Sequence, residues 1–119
     1  MAVNYYSNGD IVKPSGINEL AARSFDWIVK TTTYTAVDRD QIMADTSSAA
    51  WTLTLPSSPG DGDMVGIADA SDSFADNNLT IDGNVANIHG DSTLVVNLKN
   101  ASFFLRYSST QGEWRITGI

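Results

Sequence analysis

The sequence predicts a mainly β protein, an antiparallel β-sandwich or partly open barrel with an N-terminal arm and one short helix. Three observations predict it. In Trp51-Thr52-Leu53-Thr54-Leu55 apolar and polar residues alternate with the two-residue period of a half-buried strand. From Thr31 onward short apolar stretches are separated by turn-forming clusters, among them Asp45-Thr46-Ser47-Ser48, Asp82-Gly83-Asn84 and His89-Gly90-Asp91. No fixed-period repeat or heptad pattern is visible, so the chain has no fibrous shaft of its own.

At 119 residues the chain is long enough for a single core. The division expected is 1–30, arm and helix, and 31–119, β domain. Residues 1–14 read as an arm. Tyr5, Tyr6, Ile11 and Val12 are its apolar residues, Ser7-Asn8-Gly9-Asp10 interrupts them, and Pro14 ends the segment. Fixing each backbone residue costs about 1–2 kcal/mol, so an arm this poor in apolar side chains gains little by folding back alone. Tyr5, Tyr6, Ile11 and Val12 are therefore the candidate interaction residues, with the two tyrosines as aromatic anchors. Next, Ser15 is placed to cap a helix over about 16–24, where Ile17, Leu20, Ala21, Ser24 and Phe25 fall at helical spacing. Trp27-Ile28-Val29 continues as an extended apolar run.

The β strands expected are Thr32–Ala36, Gln41–Ala44, Ala50–Leu55, Met64–Ala68, Leu79–Asp82, Ala86–His89, Thr93–Leu98, Ser102–Tyr107 and Trp114–Thr117. Pro56 stops the strand begun at Trp51, because proline donates nothing to a ladder. Ser57-Ser58-Pro59-Gly60-Asp61-Gly62 then supplies turn residues, and Met64-Val65 with Ile67 forms the next strand. The two strands are expected to make a hairpin with a broad loop.

Leu55-Pro56-Ser57-Ser58-Pro59-Gly60-Asp61-Gly62-Asp63 resembles the LPxxPxxGD turn of a small β domain found in bacteriophage tail fibres and related virion proteins. Tyr34-Thr35-Ala36 and Asp40-Gln41-Ile42 resemble that domain's entry strands. Asp69, Phe74, Asn77-Asn78-Leu79-Thr80-Ile81, Ile88 and Gly90 follow in its order, and Tyr107, Gly112 and Trp114-Arg115-Ile116 match its last two strands. The likeness spans about Thr31 to Ile119, and no catalytic residue comes with it. It implies a non-enzymatic virion structural protein: an accessory capsid cement or decoration protein, or a small tail or neck attachment module. The partners implied are other virion proteins, and a homotrimer is the default assembly. A receptor- or carbohydrate-binding tail-fibre module is the alternative, and a depolymerase fragment a third class.

Composition narrows the chemistry. The formal charge is −7, and between Asp40 and Asn97 there are nine aspartates and no lysine or arginine. Such a surface repels phosphate backbones, which argues against nucleic acid as partner. Acidic loops keep a β domain soluble and guard its edges. The chain has no cysteine, so no disulfide, thiolate metal site or cysteine nucleophile is available. No apolar run approaches the roughly 20 residues of a membrane span. Met1 to Tyr5 lacks a basic region followed by an apolar one, so no secretory signal is expected.

No catalytic, cofactor or metal residue is expected. His89, the single histidine, stands beside Gly90 as a turn or strand-end residue, and no GxSxG surrounds any serine. Asp61-Gly62-Asp63 and the stretch from Asp69 to Asp76 lack the glycine and final glutamate of an EF-hand. Aspartates there are expected to cap their own backbone in Asx turns. Trp51 shares a phase with Leu53 and Leu55, and Trp114 alternates with Ile116. Both are expected in the core rather than stacking on sugar.

Overall fold

A computed structural model describes residues 26–118, so the arm and the helix expected over 16–24 lie outside the described residues. Ten strands follow in chain order, with no helix among the described residues: β1 Ile28–Lys30, β2 Tyr34–Thr35, β3 Gln41–Ala44, β4 Trp51–Thr54, β5 Met64–Asp69, β6 Leu79–Asp82, β7 Asn87–Ile88, β8 Thr93–Val96, β9 Ser102–Ser108 and β10 Glu113–Gly118. Every expected strand has a counterpart, most trimmed or extended by a residue or two. The apolar run at Trp27-Ile28-Val29 leads into β1, which pairs with β3.

Two sheets enclose one core, a sandwich-like arrangement. The larger has the order β1-β3-β5-β9-β10-β7 and the smaller β2-β4-β6-β8. The chain crosses between them after every strand up to β9, and this corrects two expectations. The pairing is mixed rather than antiparallel: β1, β3 and β5 run parallel, as do β2, β4 and β6. β4 and β5 are not a hairpin, because they belong to different sheets. The physical reason lies in the connection. Pro56, Pro59 and Gly62 turn the chain, but residues 55–63 are far longer than the two-residue loops that force neighbouring strands together. That length lets the chain pass from one sheet to the other.

The parallel set forms stacked turns of a coil, one strand of each turn in each sheet. Ile28 pairs with Ile42 and Ile42 with Ile67; Tyr34 pairs with Leu53 and Leu53 with Ile81. The alternation read from sequence sets which side chains face inward. Trp51, Leu53, Leu79 and Ile81 of the smaller sheet meet Ile42, Val65, Ile67, Phe103, Leu105 and Trp114 of the larger, all buried. The stack is closed on one side by antiparallel strands. β9 pairs with β5 and β10 with β9 in the larger sheet, and β8 pairs with β6 in the smaller. On the other side β1 and β2 are the edges among the described residues.

The corners are held by aspartates. Asp69 Oδ1 accepts the backbone N–H of Ser71 at 3.3 Å and of Ser73 at 3.1 Å. Its Oδ2 accepts those of Phe74 at 3.1 Å and Asn100 at 3.2 Å. One carboxylate thus ties the turn after β5 to the turn before β9 and seats Phe74, which is fully buried. Partial burial alone would raise the Asp69 carboxyl, but these four donors outweigh it and hold it below the usual carboxylate range. Asp61 is lowered chiefly by the Ser109 N–H and Asp45 chiefly by the Ser47 side chain.

Candidate interaction surface

The exposed edge is built from β1, β2 and the turn after them. Among the described residues β1 has a partner, β3, on one side only, and β2 has β4 on one side only. An edge strand of this kind presents backbone N–H and C=O groups to a further strand. Three of its exposed side chains are apolar and β-branched. Val29 is 62% exposed, Val37 59% and Ile28 38%.

The framework of the edge is fixed. Lys30 O accepts the Asp45 N–H at 2.8 Å, and Gln41 Nε2 donates to Asp26 O at 3.3 Å. Ala36, fully inside, donates its N–H to Thr54 O at 2.8 Å. The Lys30 ammonium lies 4.2 Å from the centre of the Tyr34 ring. Tyr34 donates its hydroxyl to Asp40 Oδ2 at 2.8 Å, and the same oxygen takes the Val37 N–H at 2.9 Å. Desolvation first, then the hydrogen bond and charge of Asp40, push the Tyr34 phenol up to about 12. Asp38 Oδ1 accepts the Met64 N–H at 2.9 Å, while Met64 O accepts that of Arg39 at 2.7 Å. Arg39 takes a left-handed φ of 75° to make that turn. A surface fixed in advance loses little conformational entropy when a partner docks.

Beside the edge, on the outer face of the larger sheet, Arg39, Asp40, Gln41, Met64, Gly66 and Phe104 line an open cleft of about 120 Å³. Gly66 permits it. A Cβ there would stand 2.8 Å from Phe104 Cε2, so only glycine lets the ring lie over β5. Trp27 packs against the same ring, with centroids 6.2 Å apart and planes tilted by 58°.

Of the residues singled out from sequence, Tyr5, Tyr6, Ile11 and Val12 lie outside the described residues. Trp51 and Trp114 are core residues, as their alternation predicts, and neither offers a face for stacking sugar. Trp51 donates its indole N–H to Asp45 O at 2.9 Å. Asp69 caps its own loop as expected. His89 sits in a turn, with its ring against Ile116 N and Arg115. Among the described residues no three His, Asp or Glu side chains are grouped to hold a metal ion. The edge at Ile28, Val29 and Val37 was not singled out in advance. Its signal in the sequence is three exposed-facing β-branched residues flanking Lys30 and Asp38, which does not differ from an interior strand until the pairing is known.

No protein-family model matches the chain, and no curated protein is detectably similar to it. A solved structure described as "Structure of a chaperone-substrate complex" superposes with a TM-score of 0.43 at 14% identity, over 76% of this chain and 13% of that one. A likeness so distant informs neither the fold nor the function.

Proposed function

We propose that this chain is a non-enzymatic structural protein of a bacteriophage virion. In this reading it is an accessory capsid cement or decoration protein, or a small tail or neck attachment module, and it acts through contacts with other virion proteins as a homotrimer. The observation that carries the proposal is the preformed apolar edge at Ile28, Val29 and Val37, in a chain whose N-terminal segment holds Tyr5, Tyr6, Ile11 and Val12. In this reading the arm supplies aromatic anchors and the edge a strand-pairing surface, and each makes its own contacts with virion partners. The resemblance of residues 55–63 to a virion-protein turn supports the same reading, since that segment makes the crossing between the sheets. Its test is co-sedimentation. Purified chain is added to particles of the encoding phage that lack it, and the particles are pelleted. The wild type is expected in the pellet. A Val29→Lys chain of unchanged stability that pellets equally well would remove the edge from the proposal.

The cleft at Arg39, Asp40, Gln41 and Phe104 favours a second reading, a receptor- or carbohydrate-binding fibre module. An aromatic ring beside charged and amide groups is a surface on which a sugar can rest. Binding of the isolated chain to a glycan array, lost in Phe104→Ala, would select this reading over the first.

A further inference from the structure

The turn after β7 is fastened to β10 in an unusual way. β7 pairs with β10 for two residues, Asn87 with Glu113 and Ile88 with Trp114. The chain then reverses. His89 and Gly90 both have left-handed φ values, 49° and 89°, and Ile88 and Asp91 exchange N–H···O bonds of 2.6 and 3.0 Å across them. Positive φ at both central positions is the geometry of a type I′ turn. Past Ile88 one more backbone bond follows, from the His89 N–H to Trp114 O at 3.2 Å. The His89 side chain then extends the contact along β10: its Nε2 accepts the Ile116 N–H at 2.9 Å. Gly90 N–H donates to Glu113 Oε1 at 2.7 Å.

This arrangement works in one protonation state only. A neutral imidazole has one nitrogen lone pair that accepts a hydrogen bond, and an imidazolium has none. The two groups facing the ring nitrogens are both donors: the Ile116 N–H and, 3.2 Å from Nδ1, the Arg115 guanidinium. Protonation therefore removes the acceptor of Ile116 and sets a second positive charge beside Arg115. The charged groups around the ring are Arg115 and Glu113 on β10, Arg106 of β9 across from Arg115, and Asp91 in the same turn. Glu113 is already engaged with Gly90 N–H and lies 3.9 Å from Arg115, so it offsets the new charge only in part. Just past Ile116 the β9–β10 register slips, so this end of β10 is weakly held on its other side as well.

We propose that His89 is a pH-sensitive clasp. In its neutral form it holds the C-terminal end of β10 to the β7 turn, and when the ring takes up a proton it lets that end go. The consequence is an edge of the larger sheet, from Ile116 to Gly118, that is closed at neutral pH and opens in acid.

The test is backbone hydrogen exchange at Ile116 by NMR on the full chain, corrected for the intrinsic pH dependence of exchange, with the ring ¹⁵N shifts of His89 followed in the same samples. Over samples from pH 7.5 to pH 5, protection at Ile116 is expected to fall about tenfold in step with protonation of the ring, the size of one lost hydrogen bond. Protection at Trp114, buried near the start of the strand, should not change. His89→Gln supplies an acceptor that does not titrate, and should keep Ile116 protected at both pH values. His89→Ala should leave it unprotected at both. The proposal fails if Ile116 protection stays constant while the ring titrates, if the ring stays neutral down to pH 5, or if His89→Gln loses protection in acid as the wild type does.

Discussion

Replacing Asp69 by asparagine changes one atom, yet it should disturb two loops. In the native protein Oδ1 serves Ser71 and Ser73 and Oδ2 serves Phe74 and Asn100. An asparagine has one oxygen and one NH2 group. Whichever way the amide turns, two backbone N–H groups face a donor. A hydrogen bond to a charged group contributes roughly 1.5–3 kcal/mol, and losing two of them would cost twice that if the site were dry. Asp69 is partly exposed, and solvent screening halves the figure, so the expected loss is about 2–3 kcal/mol. At the urea dependence usual for small domains, the unfolding midpoint should drop by about 1–2 M. The sign of the pH dependence is also set. The Asp69 carboxyl is held below its ordinary range, so its contribution is complete above the range where a free aspartate titrates and is lost as pH falls through the lower, folded value. The gap between wild type and Asp69→Asn should therefore be widest near neutral pH and narrow in acid. Urea titrations from pH 7 down to pH 3 would read both effects. A gap under about 0.5 kcal/mol at pH 7, or one that stays constant as pH falls, would refute the reasoning.

Two further outcomes follow from the core and the loops. Trp51→Ala should cost about 3–5 kcal/mol in the same urea assay, as truncation of a buried tryptophan does, and Trp51→Phe distinctly less, since it gives up mainly the bond to Asp45 O. Calcium should not raise the melting temperature, because the Asp69 oxygens are already taken by four N–H donors; a clear rise with calcium, reversed by chelator, would show a native-state site instead.

What the sequence made legible was local. Trp51, Leu53 and Leu55 alternate with threonines, and the structure buries all three. Asp69 and His89 stand beside residues that favour turns: Asp69 ends β5 and caps the turn after it, and His89 is a turn residue. Pairing was not legible, because it depends on where the chain goes after each turn. The stretch from Leu55 to Asp63 carries every signal of a reversal, and the same residues serve equally well to cross to the opposite sheet. The stacked coil left no repeat to find, since Ile28, Ile42 and Ile67 share a column at unequal separations along the chain. The exposed edge depends in turn on that stacking. Ile28 and Val29 carry the apolar side chains of an interior strand, and among the described residues they lie on a strand paired on one side only. The role of the His89 ring is likewise set by Ile116, far along the chain.

The proposed virion role is tested most directly by counting copies. Quantitative mass spectrometry of gradient-purified particles should find the full chain at a fixed number per particle, high for a cement protein and low for a tail or neck module. A chain begun at Pro14, without Tyr5, Tyr6, Ile11 and Val12, should keep its β fold by circular dichroism and be lost from the particles. Incorporation of that shortened chain at the wild-type number would move attachment wholly onto the β strands. Particles that never contain the full chain, made from cells that express it, would contradict the account.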